Sequence, residues 1–123
     1  MVLLSLVSNF EATSGARKVE VIKARQTRDD RQSPFRPASI EDVISRIKES
    51  RPAIVFAPHV ETSAGVILPP AYLKALSSVA HEVGALMVLD CIASGCAWVD
   101  MQSSGIDVLI SAPQKGWSAS RST

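Results

Sequence analysis

The chain has 123 residues, of which 46% are hydrophobic, and this content suffices for one modest core in a single domain. Its 13 basic and 12 acidic residues leave a formal net charge of +1, which provides no overall attraction to nucleic acid or to an anionic membrane surface. The 2 cysteines are too few for a disulfide framework and favour a reducing compartment, so the expected location is the cytoplasm.

The first third of the chain predicts two strands and a loop. The apolar residues 2–7 lack a basic flank and are too few to span a bilayer, so they are expected to form a buried strand. Residues 19–22 predict a second strand. Residues 25–37 are polar, contain two prolines and show neither the strand period nor the helix period, which predicts a loop.

A helix is predicted after Ser39, whose hydroxyl can accept a hydrogen bond from a free amide of the first turn. Four aliphatic residues fall on one face of this helix: Ile40, Val43, Ile44 and Ile47. Pro52 cannot continue it, and residues 53–57 then predict a strand that is buried on both faces. The small, polar segment 59–65 follows at the carboxyl end of that strand, where active-site loops lie.

The second half of the chain continues the alternation of helices and strands. Pro69 and Pro70 suit a helix start and Gly84 suits its end. The apolar stripe between them consists of Tyr72, Leu76, Val79, Ala80 and Val83. Residues 86–89 and 108–110 are apolar runs that predict two further buried strands. We therefore predict an α/β fold in which a mostly parallel sheet is joined by right-handed crossover helices.

Two of these strands lead into residues with complementary chemistry. Asp90 closes the strand 86–89, and Lys115 follows the strand 108–110. Because ligands of open α/β sheets collect beyond the carboxyl ends of the strands, a carboxylate and an amine at these positions can meet around one ring. Pyridoxal phosphate uses such a pair: the lysine holds it as a Schiff base, and the aspartate keeps its ring nitrogen protonated. The hydroxyls of Thr62 and Ser63 are expected in the same region.

Each of these residues also has a purely structural interpretation. An aspartate after a strand commonly caps a helix, and an isolated lysine is usually exposed to solvent. His59 can line the pocket or make a structural hydrogen bond, whereas His81 is expected on a helix surface. No metal site is predicted, because Cys91 and Cys96 lack a second pair of ligands. The sequence also lacks both glycine-rich phosphate motifs, which argues against a nucleotide-binding module.

With these residues placed, residues 53–118 resemble the large domain of class V, fold type I aminotransferases, in particular the alanine–glyoxylate and serine–pyruvate group. The resemblance rests on three segments in matching order and spacing: HVETSAGV at 59–66, DCIAS at 90–94, and GIDVL at 105–109, which leads into Gln114 and Lys115. It implies that residues 1–123 are part of a domain that binds pyridoxal 5'-phosphate.

The resemblance also implies a role for each site residue. Lys115 is the Schiff-base lysine, and Asp90 contacts the pyridine nitrogen of the cofactor. Ile92 packs against a ring face, Thr62 lies near the phenolic oxygen, and Gln114 lies near the cofactor. The implied reaction is transamination between an amino acid such as alanine or serine and a 2-oxo acid such as glyoxylate or pyruvate, in a homodimer without nucleic-acid or membrane partners. A peroxisomal or mitochondrial full-length form is compatible with it.

Members of this family are about three times longer, so we expect an incomplete domain that lacks the upstream phosphate loop and the carboxyl-terminal small domain. Such a form is not expected to turn over without those parts. Two alternatives remain: a noncatalytic α/β fragment that associates with a full-length subunit, and another class V enzyme such as a cysteine desulfurase. Gln114 weighs against the desulfurase, which usually has histidine before the lysine.

Overall fold

A five-stranded parallel sheet organises the chain. The computed structural model describes residues 2–4, 18–30, 32–94 and 97–116. The elements in chain order are β1 (Val2–Leu4), β2 (Glu20–Ile22), β3 (Arg25–Gln26), β4 (Phe35–Arg36), α1 (Ile40–Ser50), β5 (Ile54–Pro58), β6 (Val60–Glu61), β7 (Val66–Ile67), α2 (Pro70–Glu82), β8 (Leu86–Asp90), α3 (Met101–Ser104), β9 (Val108–Ile110) and α4 (Pro113–Gly116). The sheet has the strand order β2-β1-β5-β8-β9, and each neighbouring pair is parallel, which confirms the predicted α/β class.

The two faces of the sheet differ in burial. Val55, Ala57, Met87 and Leu89 are fully buried, on the face against which α2 packs. On the opposite face Ile54 is partly exposed and Leu86 is 52% exposed. The prediction that residues 53–57 form a strand buried on both faces is therefore wrong for the described part of the chain, because α1 and α2 contact each other and form one layer.

Helix α1 follows its sequence signals closely. The Ser39 hydroxyl accepts a hydrogen bond from the Asp42 amide at 3.1 Å, as expected of an N-cap. Val43 and Ile47 are fully buried on its inner face. The helix ends at Arg51, whose amide bonds to the Ile47 carbonyl at 2.9 Å in a left-handed conformation. Pro52 then prevents further helix, as predicted.

Helix α2 also confirms its prediction. Leu73, Leu76, Val79 and Ala80 are buried, while the Tyr72 hydroxyl reaches across to the Ala38 carbonyl at 2.8 Å. After the helix, Gly84 adopts a φ of 79°, which glycine tolerates without a steric penalty. These contacts fix α2 against the sheet and against the start of α1.

Two small antiparallel pairs were not predicted. Strands β3 and β4 pair within residues 25–37, where the sequence predicts only a loop, and the Thr27 amide bonds to the Pro34 carbonyl at 3.1 Å. Strands β6 and β7 pair within the segment after β5. Strands of two residues are too short to show an alternating pattern, so no periodic signal predicts them.

The amino-terminal edge of the sheet is held by Asp107, which precedes β9. Its Oδ2 accepts a hydrogen bond from the Met87 amide at 2.7 Å and lies 2.9 Å from His81 Nε2. The neighbouring Gly105 has a φ of 72°, and a Cβ there would lie 3.1 Å from the Ser77 Cβ. The hydrogen bonds from Met87 and His81 lower the pKa of Asp107. Ionised Asp107 therefore joins α2, β8 and the start of β9.

The lowered pKa predicts a pH-dependent contribution to stability. A carboxyl group with a depressed pKa stabilises the folded protein above its unfolded-state pKa and loses that contribution as the pH falls through the folded value. The free energy of unfolding of the wild type is therefore expected to exceed that of Asp107→Asn at about pH 6 and to approach it as the pH falls below about 4. Urea denaturation at several pH values measures this difference. An Asp107→Asn difference that stays constant over the range contradicts the prediction.

Candidate active site

The candidate site lies at the carboxyl edge of the sheet, where three neighbouring strands end. Asp90 is the last residue of β8 and pairs in register with Pro58 of β5 and Ile110 of β9. Because these strands are parallel, their following segments leave the sheet on the same side. The structure thus places Asp90 between the segment that begins at His59 and the segment that leads to Lys115.

Asp90 is half-buried and is held by its own loop. Its Oδ1 accepts a hydrogen bond from the Ile92 amide at 2.9 Å, and its carbonyl accepts one from the His59 amide at 2.8 Å. The next amide, of Cys91, bonds to the Ile110 carbonyl at 2.7 Å. Within the described residues, Oδ2 of Asp90 has no hydrogen-bond donor. One carboxylate oxygen is therefore used in the fold and the other can meet a ligand.

Lys115 lies in the single turn of α4, just beyond β9. Its amide bonds to the Ala112 carbonyl at 3.0 Å, and its side chain is exposed, as is that of Gln114. No ion pair involves Lys115 in the part of the chain that the structure describes. The structure therefore brings Lys115 and Asp90 to one edge of the sheet, as the sequence predicts, without an ion pair between them.

The other predicted site residues lie on the loops of the same edge. Thr62 is exposed in the turn between β6 and β7. The adjacent Ser63 donates its hydroxyl to Glu61 Oε1 at 2.7 Å, so Thr62 offers the less committed hydroxyl. Ile92 is 36% exposed and lies two residues after Asp90 in the chain. The contacts of Thr62 and Ile92 with the cofactor stay predictions.

A hydrogen-bonded polar pair adjoins the segment that carries Asp90. His59 is only 6% exposed, and its Nδ1 lies 2.7 Å from the Ser94 Oγ. Burial lowers the pKa of His59. Of the two interpretations left open for His59, the structure supports the hydrogen-bonded one. Local sequence patterns do not identify Ser94 as a partner of His59, because the two residues are 35 positions apart. The adjacency of strands β5 and β8, which these residues follow, is the signal that could have revealed the pair.

The described residues contain no group of three histidine, cysteine, aspartate or glutamate side chains that could hold a metal ion. Cys96, one of the two cysteines considered as metal ligands, lies outside the described residues. Within the same ranges, no helix has the length and apolar character needed to cross a bilayer.

Comparison with known proteins gives consistent matches. Residues 7–120 match the family model described as aminotransferase class-V. Alanine–glyoxylate aminotransferase from Oryctolagus cuniculus is 33% identical over 82 residues, which cover 66% of this chain and 20% of that enzyme. Ureidoglycine–glyoxylate aminotransferase from Bacillus subtilis has a crystal structure that matches with a TM-score of 0.70 and 30% identity, covering 92% of this chain and 28% of that one.

A more distant structure shares the fold. The PLP-bound C-S lyase from Staphylococcus hominis matches with a TM-score of 0.63 at 10% identity, over 93% of this chain and 32% of that chain. The chain spans about a fifth of the length of the rabbit relative. These matches therefore concern one part of much longer proteins.

The thiol beside Asp90 offers a test of the site's electrostatics. Burial raises the pKa of Cys91, and the negative charge of Asp90 raises it further, while a hydrogen bond with Ser94 opposes both. Because the thiolate is the reactive form, alkylation of Cys91 by iodoacetamide near neutral pH is expected to be slower than that of a free cysteine. Asp90→Asn should accelerate it, because the charge that raises the pKa is removed. Tandem mass spectrometry can follow Cys91 separately from Cys96.

Asp100→Asn is a matched control for this experiment. Asp100 caps α3 through a hydrogen bond from the Gln102 amide at 2.9 Å, and asparagine can keep that cap. This variant should leave the alkylation rate of Cys91 unchanged. Equal rates in wild type and Asp90→Asn would show that the Asp90 charge does not act on the thiol.

Proposed function

The chain belongs to the class V aminotransferase family, and on this premise we propose that it forms the cofactor-binding centre of an enzyme that transfers an amino group from an amino acid to glyoxylate. The observation that carries the proposal is the placement of Asp90 at the tip of β8, beside the strand that leads to Lys115. A carboxylate and an amine at neighbouring strand ends suit a ligand that carries a cationic ring nitrogen and an aldehyde.

Pyridoxal phosphate is the cofactor of this family, and the side chains at the sheet edge fit it. The Oδ2 of Asp90 can contact the ring nitrogen, because Oδ1 is already bonded to the Ile92 amide. Lys115 is exposed and can reach a ligand at the edge. Ile92 offers an apolar surface to a ring face, while Thr62 and Gln114 supply polar groups around it. When bound, the cofactor withdraws electrons from the α-carbon of the amino acid.

Two of the chain's own residues act in the proposed reaction. The negative charge of Asp90 favours the protonated form of the ring nitrogen by Coulomb attraction. Lys115 Nζ would hold the cofactor through its aldehyde and, once freed by the incoming amino acid, would be the general base that accepts the proton of the substrate α-carbon. Both actions need a fixed distance between the sheet edge and α4, which β9 provides by pairing with β8.

The finer substrate assignment is also part of the proposal. We assign glyoxylate as the acceptor because it appears in the names of both the rabbit and the Bacillus subtilis relatives. Alanine or serine is the proposed donor, and pyruvate is an alternative acceptor. The chain would contribute part of a large domain, in a homodimer whose remaining segments complete the phosphate and substrate contacts.

Chemical trapping tests the role of Lys115. Incubation with pyridoxal phosphate followed by borohydride reduction should fix a pyridoxyl group mainly on Lys115, as peptide mass spectrometry would show. Lys115→Arg should abolish this adduct, since a guanidinium does not condense with the aldehyde. Lys74→Arg is the matched control, because Lys74 is an exposed lysine of α2. An adduct spread evenly over several lysines in the wild type refutes the assignment.

Substitution of Asp90 tests the ring contact. Removing one partner of a buried ion pair costs about 3–5 kcal/mol, which corresponds to about two to four orders of magnitude in rate. Asp90→Asn is therefore expected to lower the rate of amino transfer to glyoxylate by that amount in single-turnover experiments on the homodimer that contains the remaining segments. Asp100→Asn serves as the control and should retain the wild-type rate. Full activity of Asp90→Asn contradicts the proposed role.

A further inference from the structure

We propose that His59 and Ser94 form a positioning pair that sets the orientation of the Asp90 carboxylate. The consequence for the cofactor rests on the proposed function, whereas the effect on Asp90 itself does not. Neither residue contacts the proposed ligand in this account. They act through the segment 90–94, which carries Asp90 at one end and Ser94 at the other.

His59 holds this segment at both ends. Its amide donates to the Asp90 carbonyl at 2.8 Å, and its Nδ1 lies 2.7 Å from the Ser94 hydroxyl. The His59 carbonyl in turn accepts a hydrogen bond from the Leu68 amide at 2.9 Å. His59 is 6% exposed as a whole residue, and its hydrogen bond to Ser94 is part-buried. One residue at the end of β5 therefore fixes the beginning and the end of the neighbouring loop.

The group that orients the carboxylate lies between these two anchors. The Ile92 amide donates to Asp90 Oδ1 at 2.9 Å, and its position depends on how the loop closes. The loop closes at Ser94, whose amide bonds to the Cys91 carbonyl at 3.3 Å. If Ser94 moves, the Ile92 amide moves with it, and the carboxylate loses the bond that directs Oδ2 towards the open edge.

The charge state of His59 suits this role. Burial lowers its pKa, so the imidazole is neutral at neutral pH and places no positive charge next to Asp90. A cation at this point would compete with a ligand for the carboxylate. The pair thus orients the Asp90 carboxylate without neutralising the negative charge that the ligand requires.

Ser94→Ala tests the pair in the protein without cofactor. The amide proton resonance of Ile92 should move upfield in the NMR spectrum, because its hydrogen bond to Asp90 lengthens. Ser94→Thr, which keeps the hydroxyl, should restore the wild-type resonance. Ser78→Ala is the matched control: this exposed hydroxyl donates to the Lys74 carbonyl at 2.8 Å and should not affect Ile92. An unchanged Ile92 resonance in a folded Ser94→Ala protein refutes the proposal.

The protein loaded with pyridoxal phosphate gives a second measurement. Misplacement of a reacting group by about 1 Å can cost about 100-fold in rate. In the homodimer that contains the remaining segments, Ser94→Ala should therefore lower kcat by roughly 10- to 100-fold with a smaller change in KM, and Ser94→Thr should recover most of the loss. If Lys115 forms no adduct, the proposed function fails while the Ile92 result still decides the positioning role. Should Ser94→Ala not fold, Ser94→Cys keeps the shape with a weaker hydrogen bond and should shift Ile92 in the same direction.

Discussion

The five-residue parallel pairing of β5 with β8 is the constraint on which the rest of the structure depends. It aligns Val55 and Ala57 with Met87 and Leu89, and this alignment creates the fully buried face beneath α2. It also ends both strands at the same level, so that the His59 amide can reach the Asp90 carbonyl. A register change by one residue would invert the faces and remove Asp90 from its place at the edge.

The sequence predicted the features that depend on local patterns. Apolar runs located β5, β8 and β9, a capping serine located α1, and the residues after two of these strands indicated the site at Asp90 and Lys115. The cofactor contacts of Thr62, Ile92 and Gln114 came from resemblance and are not tested by the fold. Contacts between residues that are far apart in the sequence, such as the hydrogen bond between His59 and Ser94, could not be predicted from local patterns.

The error concerning β5 has a related cause. An unbroken apolar run predicts burial on both faces, yet burial depends on which elements pack against the strand. Here α1 and α2 form one layer on one face, and Leu86 on the other remains about half exposed. The paired strands β3–β4 and β6–β7 escaped prediction because each consists of two residues, so backbone hydrogen bonds rather than side-chain patterns define them.

The close approach of Gly105 to α2 limits which substitutions positions 105 and 77 can tolerate during evolution. Its φ of 72° strains ordinary side chains, and the Ser77 Cβ, 3.1 Å from where a Cβ would lie, would have to shift by a few tenths of an ångström to admit one. Ser77 is itself buried, so a bulkier residue there would push into the same turn. Glycine at position 105 and a small residue at position 77 should therefore both persist in homologous sequences.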